Sequence, residues 1–159
     1  MESDEQTIIT VGRVLGDGST ATTRGSFYST FNQALTDDGV SGSGGTGLYQ
    51  SATGTIAAQA TRGDTTVESD AIIINNTQNA WALYVHETPN TLASKITNET
   101  TKVTGTSTNT KPRKKTDKAY RIGSSATSNS GSVDVGIILF CNKVYSESDN
   151  SRPLFLNPR

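Results

Sequence analysis

Glu68 and Asp70 are the residues whose types and spacing come nearest to a catalytic arrangement. Two carboxylates at i and i+2 on a strand point to one face, as the acid pair of a retaining glycosidase requires. Continuing that pattern would put another acid at 73, where Ile73 stands within Ile72-Ile73-Ile74. Hydrolysis through Glu68 and Asp70 is therefore the weakest reading of the chain. His86 is the only histidine and Cys141 the only cysteine. They lie far apart in sequence and supply no metal-ligand spacing, so neither a metal nor a cofactor is expected. No nucleophile-elbow pattern accompanies His86.

Four further motifs are better read as ordinary chain. Gly42-Ser43-Gly44-Gly45-Thr46-Gly47 matches the dinucleotide-binding glycines literally. That chemistry needs a helix opening behind the glycines, and Leu48-Tyr49-Gln50 leads instead into more Ser, Thr and Gly. Arg62-Gly63-Asp64 is a receptor-binding tripeptide when a loop displays it, and also a plain turn. Lys111-Pro112-Arg113-Lys114-Lys115 lacks the broad basic face or stacking aromatics of a nucleic-acid site, so no nucleic acid is expected. Asn75-Asn76-Thr77 and Asn98-Glu99-Thr100 fit the glycosylation pattern in a chain dense in Asn and Thr.

The elements that must position these residues are strands. Apolar residues make up only 32% of the 159 residues and charged residues 18%, the difference being 18 Ser, 25 Thr and 15 Gly. Threonine suits a half-exposed pleated surface, glycine and serine suit turns, and the mixture predicts a thin sandwich with polar outer faces. A net charge of −1 argues against disorder. Alternation is strongest at Val133, Val135, Ile137, Leu139 and Cys141, with Ile138 and Phe140 behind them. Apolar on both sides, that run is expected to be a central strand. Trp81, Leu83 and Val85 share one face of a second strand, and Ala82, Tyr84 and His86 the other. Weaker strand candidates cover 7–15, 54–60, 65–74, 92–96, 120–122 and 152–156. A short helix is expected over 26–35, where Phe27, Phe31 and Leu35 fall at helical spacing, and a capped turn at Ser146 to Asp149. No interior boundary appears, so residues 1–159 are read as one antiparallel β-sandwich domain.

The C-terminal half carries a family pattern. Tyr120-Arg121-Ile122-Gly123-Ser124-Ser125, a Gly/Ser turn, and then Val133 through Phe140 to Asn142, Tyr145 and Asp149 resemble the end of concanavalin A-like, laminin-G-like jelly rolls. The resemblance covers roughly residues 81–149 and implies a jelly roll. Modules of this kind, with this Thr/Ser/Gly/Asn-rich composition, are similar to appendages of bacteriophage particles. Asp134 and Asn142 do not form the clustered loop set that the family's calcium or sugar sites would need.

Function follows as an expectation: a non-catalytic virion protein, a capsid decoration or head appendage, made in the host cytoplasm and incorporated in the virion. The acidic N-terminus is unlike a secretory leader, and no apolar run is long enough to span a bilayer, so no membrane partner is expected. Residues 1–70 carry nine acids against three Arg, and residues 95–121 eight Lys/Arg against two acids. The plain reading is two solvated loop regions; the sharper one is complementary contact between copies, where charge sets register. The expected partners are its own copies in a closed homo-oligomer such as a trimer, and other virion proteins. The alternative is a lectin-like, carbohydrate-binding tail-fibre module that binds host glycans, with Tyr84 and His86 as the ligand-binding pair.

Overall fold

Ten strands and no described helix make up the computed structural model, which describes residues 4–16, 18–19, 24–30, 45–63, 68–114, 119–123 and 132–144. The strands are β1 (Gln6–Val14), β2 (Ser26–Ser29), β3 (Thr46–Ala52), β4 (Thr55–Arg62), β5 (Glu68–Asn75), β6 (Ala82–Thr88), β7 (Lys95–Asn98), β8 (Val103–Thr106), β9 (Arg121–Ile122) and β10 (Val133–Cys141). They form two antiparallel five-stranded sheets, ordered β10-β1-β6-β7-β8 and β5-β4-β3-β2-β9. The architecture is an all-β sandwich compatible with a jelly-roll-like fold.

Period-two patterning explains the core. Ile8, Tyr84 and Ile96 on the first sheet meet Phe27, Leu48, Ile56, Ala58, Ile72 and Ile74 on the second. Small residues let the sheets approach. A Cβ on Gly12 would lie 2.5 Å from the Phe27 ring and 2.6 Å from the Asp134 carbonyl, and one on Gly105 2.6 Å from Ile72. The hairpin between β3 and β4 turns at Gly54, whose φ of 73° suits glycine.

Three expectations are corrected. Residues 26–29 are a strand, because Phe27 and Tyr28 bury their side chains in a sheet whose neighbours are β3 and β9. Thr46–Ala52, read as the exit of a glycine loop, is a buried strand whose threonine and glutamine are held by hydrogen bonds. β10 lies at the edge of its sheet, not the centre. Its register with β1 shifts between Val11 and Gly12, so that Gly136 is an extra residue. The bulge flips the alternation: Val133 and Val135 pack toward the core with Ile138, while Ile137 and Leu139 line the outer face. One apolar stripe in the sequence becomes two half-stripes on opposite faces. The candidates at 31–35, 146–149 and 152–156 lie outside the described residues.

Candidate functional site

The pair Tyr84 and His86 does not reach solvent. Both are 0% exposed on the inner face of β6. The Tyr84 hydroxyl donates to Asn76 Oδ1, and burial pushes it up to about 12. His86 Nδ1 shares a 2.8 Å hydrogen bond with the Tyr28 hydroxyl across the sandwich. Burial first, then the nearby Arg113 and Arg62, lowers the His86 imidazole from 6.5 to about 3, so it is neutral at ordinary pH. Neither residue offers a face on which a sugar could stack, and the ligand-binding expectation for them is withdrawn.

Glu68 and Asp70 do lie on one strand, but each is engaged by a neighbour. Asp70 accepts a 2.9 Å hydrogen bond from Arg62 Nε and another from the Ser107 hydroxyl. Glu68 pairs with Lys111 and accepts from Asn109 Nδ2 at 3.1 Å. The Lys111 hydrogen bond is the main reason the Glu68 carboxyl sits below the usual range.

The centre of this network is Arg62, fully buried despite its charge. Its remaining guanidinium hydrogens go to the carbonyls of Asn90, Lys111 and Pro89 and to Ser94 Oγ, at 3.1, 2.8, 3.1 and 2.7 Å. All five donors are thus used, which is the condition for burying a guanidinium without a large net cost. The two remaining basic motifs are absorbed here. Arg62 cannot serve as a displayed receptor-binding arginine. Arg113, only 6% exposed, bridges to Arg62 through the backbone, and Lys111 pairs with Glu68, so these two members of the basic run are tied to the sheet. Of the glycosylation patterns, Asn75 is exposed, whereas Asn98 is buried with its Oδ1 accepting from the Thr100 and Thr101 amides.

The surface feature that the sequence reading missed is the outer face of the first sheet. Cross-strand pairing aligns Leu83, Val11 and Ile137 in one row and Val85, Ile9 and Leu139 in the next. Ile9, Val11, Leu83, Ile137 and Leu139 line a cleft of about 290 Å³. Ile9 and Val85 are buried at its floor, while Ile137 and Leu139 stand at its β10 wall, 51% and 42% exposed. Trp81 stands near Val11 at the Gly136 bulge, with the Arg13 guanidinium 5.5 Å over its ring and Arg13 Nε 2.7 Å from Asp134. Beyond Leu139, Phe140 turns to the sandwich opening, 41% exposed, its ring 4.1 Å from that of Tyr120. Part of the signal for this face was present: the β10 run reads as apolar on both sides. We took that for double burial, and an exposed contact surface produces the same pattern.

Among the described residues no group of three or more His, Cys, Asp or Glu could hold a metal ion. No protein-family model matches the chain, and no curated protein matches it. Among solved structures it is similar to a scytalido-glutamic peptidase crystallised with a peptide-based transition-state analogue. That alignment has 15% identity and a TM-score of 0.40, and covers 88% of this chain and 70% of the peptidase. A likeness of that size says nothing about activity.

Proposed function

We propose that this protein is a non-catalytic structural subunit that works by associating with its own copies, as a decoration or appendage of a bacteriophage particle. The observation that carries self-association is the outer face of the first sheet, where an uncharged apolar cleft opens beside half-exposed Ile137, Leu139 and Trp81. Contiguous apolar surface on a soluble sandwich is costly unless something covers it. The likeness of Tyr120–Ser125 and Val133–Asp149 to concanavalin A-like jelly rolls, with a Thr/Ser/Gly/Asn-rich composition similar to that of phage appendages, suggests the virion context. The acids that a hydrolase would need are engaged in the Arg62 and Lys111 pairs. The carbohydrate-binding alternative has lost its residues, and one face of exposed Trp81 is occupied by Arg13.

Sedimentation of the purified chain, together with a search for it in purified particles, tests this reading. Oligomers in the micromolar range and co-purification with particles are expected. A chain that stays monomeric and is absent from every particle fraction overturns it.

A further inference from the structure

We infer that the chain's own segment Leu154-Phe155-Leu156 folds back from the end of β10 and seats in the apolar cleft on the outer face of the first sheet. This goes beyond self-association, which uses the half-exposed Ile137, Leu139 and Trp81 beside the cleft and not its floor.

The floor is buried more deeply than the described strands explain. An antiparallel sheet packed on one side leaves its other face in water. Ile8 and Tyr84 turn into the core, so Thr7, Ile9 and Val85, their neighbours along β1 and β6, belong to the outer face. They are nevertheless 0%, 1% and 2% exposed. Among the described residues no strand lies over them, and the apolar cluster there is Ile9, Val85 and Leu83 alone.

The route of the chain points to the segment after β10 as the cover. Beyond Cys141 the backbone bends at Asn142 and Lys143, and the Thr7 hydroxyl donates to the Lys143 carbonyl at 2.9 Å. The Thr7 side chain stands on the outer face, so that bond draws the departing chain onto this face and off the line of the sheet edge. Past Val144 the apolar residues are Tyr145 and, flanked by Pro153 and Pro158, Leu154, Phe155 and Leu156. The return from Lys143 to the level of Ile137 is about 20 Å along β10, and residues 144–153 reach about 33 Å when extended.

The cleft suits these side chains better than a free ligand. All five lining residues, Ile9, Val11, Leu83, Ile137 and Leu139, are aliphatic. At about 290 Å³ it lies at the lower limit of small-molecule sites, and it lacks the polar groups that orient a ligand in them. A short tether holds the segment at an effective concentration on the order of millimolar, so it occupies the cleft ahead of a second copy at micromolar protein.

The test is NMR on the full chain with labelled methyl groups, diluted until sedimentation shows single copies. Overhauser contacts are expected between the Phe155 ring and the methyls of Leu83, Ile137 or Leu139. Phe155→Ala is expected to shift those methyl resonances through loss of the ring current. The methyls of Ile73, exposed on β5 of the other sheet, should stay in place. Absence of the contacts in the wild type, or unmoved methyls in the folded variant, overturns the seating and leaves self-association standing. Contacts found only between differently labelled copies also overturn it, in favour of exchange. A chain that shows the contacts within one copy yet never associates keeps the seating and overturns self-association.

Discussion

At the scale of single residues, Arg62 and His86 show opposite ways of placing an ionisable group in a thin sandwich. Arg62 is buried with all five guanidinium donors hydrogen-bonded. Replacing it with methionine leaves buried Asp70 without its counter-charge, so Arg62→Met is expected to lose about 3 to 5 kcal/mol in urea unfolding. His86 is held neutral down to about pH 3. The unfolded chain protonates it below about 6.5 and therefore binds more protons than the folded chain in that window. Its contribution makes stability fall with acid between those two values, at up to about 1.4 kcal/mol per pH unit. Above 6.5 the contribution is flat. His86→Gln removes that slope, so the difference between the two proteins' urea midpoints should shrink from pH 7 to pH 4.

At the scale of elements, the β1–β10 pair depends on one close approach. Gly12 lets the Phe27 ring and the Asp134 carbonyl into space that a side chain would fill. Gly12→Ala forces β10 or Phe27 to move and is expected to cost about 1 to 3 kcal/mol, read as a lowered Tm. If the Asp134 backbone shifts with it, Ile137 and Leu139 shift too, and self-association weakens along with stability. The same pair shows why element positions were only partly legible. The apolar run of β10 was plain in the sequence, and its central placement was not. An edge strand covered by a partner and an interior strand covered by its own chain have the same composition. The bulge at Gly136 was also invisible, because a glycine in a strand pattern signals several local structures. At 26–35, Phe27 and Phe31 satisfied two periods at once, and pairing with β3 decided it for 26–29.

At the scale of the whole molecule, two forces compete to explain assembly. The opposed charge regions of the sequence predict association that weakens as salt screens it. The apolar cleft predicts little response to sodium chloride and stronger self-association in sulfate, which enhances apolar burial. Sedimentation across a sodium chloride series and a sulfate series separates them, and we expect the sulfate response. The fold bears on that outcome because three of the region's eight cations are engaged or buried: Lys111 pairs with Glu68, Lys95 with Glu87, and Arg113 is buried.

The all-β class, the two-faced strands at 82–88 and 133–141, and the poverty of catalytic motifs could all be read from residue order, since alternation and composition act locally. Which of two apolar faces turns inward could not be. Trp81, Leu83 and Val85 form the more apolar face of that strand, yet the second sheet packs on the reverse face of Ala82, Tyr84 and His86. Nor could local pattern show that Glu68, Asp70, Arg62 and the 107–113 segment converge, because their hydrogen bonds join residues up to 49 positions apart. Those outcomes depend on which sheet packs on which, and only the folded chain decides that.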